Sequence, residues 1–157
     1  MPSIKITYLN TQLKKLRDFV EGTLVPLRVD PVHINLVVVA VEEICCNAIE
    51  HSDHQQDHSK DFIHVTIRPH LEGSTARVDI EIKDSNKNHF NLANYDMPDI
   101  STIVQHRCNG GIGLILFKKI AENINFKREA EQNICNFSTR VPIEGVRGCE
   151  STSLPHS

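Results

Sequence analysis

Ile63, Val65 and Ile67 alternate with polar residues, and Val78, Ile80 and Ile82 repeat the pattern beyond the turn-like stretch LEGST at 71–75. A strand sends successive side chains to opposite faces, so each run predicts a strand with one apolar face, the two paired as an antiparallel hairpin. Asp84 continues the inward series 78, 80, 82. A carboxylate is thus aimed where an apolar residue is expected.

Upstream the period changes from two to that of a helix. Leu13, Leu16, Val20 and Leu24 predict an amphipathic helix with Asn10 or Thr11 as N-cap and Pro26 as its stop. Asp30-Pro31 predicts a second start, because Asp caps free N–H groups and proline loses nothing at the first helical position. From there Ile34, Val37, Val38, Val41, Ile44 and Ala48 form a stripe running to about residue 52.

Residues 3–8, SIKITY, alternate like a short strand, and SDHQQDHSKD reads as a loop. Residues 85–109 show no clear period, and a loop of that length exceeds the usual limit of about 12–15, which predicts a functional lid. The run NGGIGLILFKKIAENI predicts a third helix, with Ile112, Leu116, Ile120 and Ile124 on one face and Phe117 and Ala121 broadening it. Strands are expected near 124–130 and 134–143. The expected fold class is α+β: a two-layer α/β sandwich, its mixed, mostly antiparallel sheet covered on one face by three helices. One domain should span 1–144, with 145–157 a disordered tail.

Seventeen basic and twenty acidic residues give a formal charge of −3, without the basic excess of a nucleic-acid or membrane-surface binder. No stretch approaches the roughly 18 apolar residues of a membrane span, and the N-terminus lacks a signal-like apolar core. Five cysteines, at 45, 46, 108, 135 and 149, form no CxxC pair and fit reduced thiols. A soluble cytoplasmic protein is expected. His51, His54 and His58 have no carboxylate or Cys at ligand-like spacing and read as solvated.

Glu43, Asn47 and His51 are spaced four apart and stack along one ridge of the second helix. A carboxylate, an amide oxygen and an imidazole then reach one small volume, where magnesium could take a single protein ligand and keep water or phosphate oxygens for the rest. A solvated helix edge explains the same spacing. Gly110, Gly111, Ile112 and Gly113 open the third helix, where free N–H groups and the helix dipole attract anions and glycine lets a phosphate come close. A hinge is the plainer alternative. A buried Asp84 requires hydrogen-bond donors; the exocyclic amine of adenine is one, and its own following loop is another. Neither GxxxxGK[ST] nor GxGxxG is present, so a nucleotide site here must have another design.

Taken together and in this order, ExxxNAxxH on a helix, an Asp ending a strand, a long loop and GGxGL opening a helix resemble the GHKL ATPase superfamily with its Bergerat nucleotide-binding fold. More narrowly, the chain is similar to the bacterial anti-sigma-factor serine/threonine kinases, over residues 3–143. That resemblance implies an ATP-dependent kinase using Mg2+, one that phosphorylates a STAS-domain anti-anti-sigma antagonist and sequesters a sigma factor in a partner-switching circuit. It implies a homodimer as well. Glu43 would be the general base, Asn47 the magnesium ligand and Asp84 the adenine-reading carboxylate. Gly110, Gly111, Ile112 and Gly113 would line the phosphates, with Leu114 packing the helix start. His51 would stand near the phosphates, and Arg107 would contact phosphate or a partner.

The family's DxG following that aspartate is DSNKN here, with Asn86 and Asn88 in the places of glycines beside the nucleotide. Left-handed backbone costs a non-glycine residue about 1–2 kcal/mol, equivalent to a tenfold or greater loss of ATP affinity. A non-catalytic partner-binding module with a degenerate ATP site is therefore the second expectation. A histidine-kinase fragment is a weaker third, since no phosphoacceptor hairpin precedes residue 30.

Overall fold

The structure, a computed structural model, describes residues 2–50, 61–85 and 111–144. The expected lid, the histidine-rich loop and the tail lie outside these residues. Alternation gives β1 (Ser3–Thr7), β2 (Phe62–Glu72), β3 (Thr75–Asp84), β4 (Glu122–Glu129) and β5 (Gln132–Pro142), and the helical stripes give α1 (Leu13–Leu24), α2 (Pro31–Glu50) and α3 (Gly111–Ile120). The strands form one sheet in the order β1-β2-β3-β5-β4. All four pairings are antiparallel, so the parallel component of the expected mixed sheet is not found among the described strands.

Register sets which side chains share a face. Ile63 lies opposite Ile6 and Asp84, Val65 opposite Ile82, and Ile80 opposite Phe137, so one face is a continuous apolar surface. Leu16, Val20 and Leu24 of α1 are buried with Ile34, Val37, Val41 and Ile44 of α2 and these strand residues in a single core. Phe117 of α3 meets Phe137 of β5 edge-to-face at 5.0 Å. The opposite sheet face carries a polar ladder, in which Asp79 accepts from Ser138 Oγ at 2.7 Å and pairs with Arg77 at 3.3 Å and His70 at 3.0 Å.

Local chemistry departs from expectation at four places. A 3-10 turn over Asn10–Gln12, closed by the Gln12 N–H on the Leu9 carbonyl at 2.9 Å, precedes α1, so no side-chain cap is made there. A second 3-10 turn, Val25–Leu27, follows α1 through Pro26 and ends at Arg28 with φ 62°. The third helix stops at Ile120, which moves Ile124 into β4; among its described side chains Phe117 is buried as expected, and Leu114 is buried with it rather than Leu116. Finally, α2 is long and apolar enough to cross a membrane by length and composition, contrary to the expectation that no segment approaches this. Its apolar stripe is buried against the sheet and the other two helices, which accounts for that composition.

Candidate functional site

Glu43 lies on the α2 face that receives α3 and is only 7% exposed, so the solvated-edge explanation does not hold for it. Asn47, one turn later, donates its Nδ2 to Glu43 Oε1 at 3.2 Å and to the Glu43 carbonyl at 2.9 Å. With its nitrogen so engaged, the amide turns its oxygen away from the carboxylate. Burial raises the Glu43 pKa to about 7; the Asn47 hydrogen bond opposes the rise and the charge of Glu50 adds to it. At neutral pH this carboxyl therefore exchanges its proton readily.

The first turn of α3 closes the site from the other side. A Cβ placed on Gly113 would stand 2.6 Å from Glu43 Oε2, so the glycine is what lets the two helices meet here. Leu114, 3% exposed, seats that turn in the core. The first turn of α3, with its free N–H groups, thus lies against this carboxylate and beside any anion brought there.

Asp84 ends β3 on the helix-covered face, opposite Ile63 on one side and Asn133 on the other. Asn133 Nδ2 donates to Asp84 Oδ1 at 3.0 Å. The charge of Asp84 reaches three neighbours. Burial and then Asp84 push the Tyr8 hydroxyl well above its ordinary pKa, against a hydrogen bond with Ser85. Burial and Asp84 push Cys135 up to about 12, and Cys45 is raised by burial, by Cys46 and by Asp84. Cys45 belongs to α2, so the strand end bearing Asp84 lies beneath the helix that carries Glu43 and Asn47. Ser85 continues the network to Asp61 Oδ1 at 3.1 Å.

Three expected positions, Glu43, Asn47 and Gly113, are therefore in direct contact, and Asp84 lies under the same helix. Gly111 and Ile112 open α3. His51, Asn86, Asn88, Arg107 and Gly110 lie outside the described residues. Tyr8, Asp61, Ser85 and Asn133 belong to the Asp84 network without having been expected; only strand register could have found Asn133. A cleft of about 570 Å³ opens elsewhere, between Val25, Arg28, Pro31, Ile34 and Asn35. It lies roughly 14 Å from Glu43 along α2, counting 1.5 Å per residue from Ile34, and holds none of the expected residues.

The residues fit a magnesium nucleotide in kind. Among the described residues no group of three His, Cys, Asp or Glu could hold a metal by itself. A single amide oxygen beside a proton-exchanging carboxyl suits an ion that takes its other ligands from phosphate and water.

Set beside known proteins, residues 6–139 match the model of a family described as the histidine kinase-like ATPase domain. No curated protein matches the chain. Among solved structures it is similar to the crystal structure of the RsbU and RsbW domains of Rv1364c from Mycobacterium tuberculosis, with 17% identity and a TM-score of 0.55. The likeness covers 90% of this chain and 33% of that one, so the chain spans a third of that structure's length. At this identity the likeness is one of fold, and the fold is that of the GHKL ATPases.

Proposed function

The chain belongs to the histidine kinase-like ATPase family, and from that premise we propose that it is a cytoplasmic ATP-dependent serine/threonine kinase and anti-sigma factor acting on a STAS-domain antagonist. The observation that carries this reading is the Glu43 carboxyl, buried between the Asn47 amide and Gly113 in the first turn of α3.

In such a reaction bound ATP supplies the phosphoryl group, and magnesium neutralises its oxygens. The chain's own residues do the rest by position. Glu43, poised near neutrality, accepts the proton of an incoming serine or threonine hydroxyl. Asn47 holds Glu43 through its nitrogen and offers its oxygen to the cation. The α3 N-terminus, brought close by Gly113, presents N–H groups to phosphate. Asp84 accepts from the exocyclic amine of adenine. By the family resemblance His51 and Gly110 would serve the phosphates and Arg107 phosphate or a partner, and a homodimer would present two such sites to the antagonist and a sigma factor.

The test is to incubate the full chain with Mg-ATP and a STAS-domain partner and follow phosphate onto that partner, with Glu43→Gln as control. Transfer by the native chain, abolished in the variant, is expected. Tight partner binding with no transfer would remove the kinase claim. Asn86 and Asn88, in place of the family's glycines, favour a second reading as a non-catalytic partner-binding module. Calorimetry with ADP separates the two, since a chain that binds the partner but not millimolar ADP fits only the second.

A further inference from the structure

The pairing of β4 with β5 begins at Ser138, so Thr139, Arg140 and Val141 have no strand beside them on that edge. Leu36 and Val37 of α2 and Ile120 at the end of α3 face this stretch across a groove of about 270 Å³. Thr139 lies on the helix-covered side of β5 with Phe137 and Val141 and is 3% exposed. Its hydroxyl makes no hydrogen bond among the described residues, yet the oxygen is not sealed from solvent, so it opens onto the groove that the residue lines. A buried hydroxyl left in that state costs stability until water or a ligand supplies the bond.

The charges around the groove favour an anion. Lys119, exposed at its lip, has no ion pair among the described residues. Arg140 stands 3.5 Å from Glu72 and 3.6 Å from Glu122 without a side-chain hydrogen bond to either, so its donors stay open. Glu122 is the carboxylate among the described walls, and Arg140 offsets it. His33 holds Asp30 through Nδ1 at 2.6 Å and keeps Nε2 for a further contact. Offsetting the negative end of α3 is a plainer duty for Lys119, but it gives Thr139 no partner.

We propose that this groove binds a small carboxylate with a short apolar body, its head on Lys119 and the Thr139 hydroxyl and its body on Leu36, Val37, Ile120 and Val141. One unpaired cation balances one negative charge, which favours a carboxylate over a doubly charged phosphate monoester. The volume falls below the roughly 300 Å³ at which pockets for drug-sized ligands begin, so the body is short. Val37 lies roughly 9 Å from Glu43 along α2, counting 1.5 Å per residue. The groove is therefore separate from the site proposed for the nucleotide and does not depend on that reading.

The test is NMR of the full chain with labelled Ile, Leu and Val methyl groups, titrated with benzoate, hexanoate, neutral benzamide and phenyl phosphate. Both carboxylates should shift the Val37, Ile120 and Val141 methyls with millimolar affinity, and benzamide should bind about tenfold more weakly than benzoate. Thr139→Val keeps the side chain's shape and Lys119→Met keeps its stem; each should weaken benzoate about three- to tenfold. Glu122→Gln should tighten it. Because Lys119 is exposed, its variant carries the test if Thr139→Val melts below the assay temperature. Absence of groove shifts at about 20 mM of either carboxylate overturns the proposal, as do shifts confined to methyls elsewhere. So does benzamide binding as well as benzoate, which would mark a merely apolar groove, and so does a benzoate affinity that both variants leave unchanged. Phenyl phosphate binding in the groove more tightly than benzoate overturns the assignment of a singly charged ligand.

Discussion

Gly113 abuts Glu43 so closely that a methyl group added to its α-carbon would lie 2.6 Å from Oε2 and 3.1 Å from Cβ and Cδ. Because Cβ is among the atoms struck, swinging the carboxyl aside does not relieve the overlap; α3 itself must shift against α2. Gly113→Ala should therefore destabilise the chain by about 1–3 kcal/mol, the usual cost of overpacking. Urea unfolding at neutral pH gives the value. A midpoint equal to the native one would mean that the two helices do not meet as described.

Gly22 makes the opposite case. It sits exposed in α1, and a Cβ there would meet nothing within 4 Å. Alanine at this position restricts the unfolded chain and suits a helix interior better, so Gly22→Ala should add about 0.5–1 kcal/mol. The same urea assay applies. Destabilisation of any size would place Gly22 outside a regular helix or against a partner.

The thiols report on how α2 is seated. Cys45 and Cys135 are 0% and 4% exposed, and burial raises both pKa values, that of Cys135 to about 12. A maleimide at pH 8 should label them only as fast as the whole domain opens. Cys46 is half-buried and raised to about 11 by burial and by the nearby Glu43, Glu50 and Glu42. With two units less acidity it should react about a hundredfold more slowly than a free thiol. Peptide mass spectrometry resolves the individual sites; prompt labelling of Cys45 would show that the helix does not cover the sheet.

Periodicity was sufficient for α1 and α2 because their stripes are uninterrupted: Leu16, Val20 and Leu24, then Ile34 through Ala48, are buried as their spacing requires. The inward aim of Asp84 followed from the same counting along β3. Three features were not legible, for two different reasons. The end of α3 at Ile120 carries no proline or glycine, and the β4–β5 turn is made by Ala130 and Glu131 at φ 51° and 64°, residues that do not advertise a left-handed turn. The Asn133–Asp84 contact joins residues 49 positions apart, and nothing local encodes register. The site thus divides: the helix half is written in local spacing, and the strand half depends on pairing.

Glu43 gives the site a pH signature. Its ordinary pKa of 4.5 rises to about 7 in the folded chain, chiefly because burial disfavours the charge. Between those values the folded chain keeps a proton that the unfolded chain has released, so stability is greatest at the acid end of the window. It declines as pH rises from about 4.5 to about 7 and is level above that. The full fall is on the order of 3 kcal/mol. Glu43→Gln keeps the shape of the side chain without the charge. It should match the native chain near pH 4.5 and exceed it in stability above pH 7. Subtracting urea midpoints of the two chains cancels every other titrating group. Asn47→Leu removes the hydrogen bond that opposes the rise, so the decline should reach to higher pH in that variant. If the native and Glu43→Gln chains keep a constant difference from pH 4.5 to 8, the carboxyl ionises normally. It is then no base poised at neutrality, and the kinase chemistry assigned to it fails.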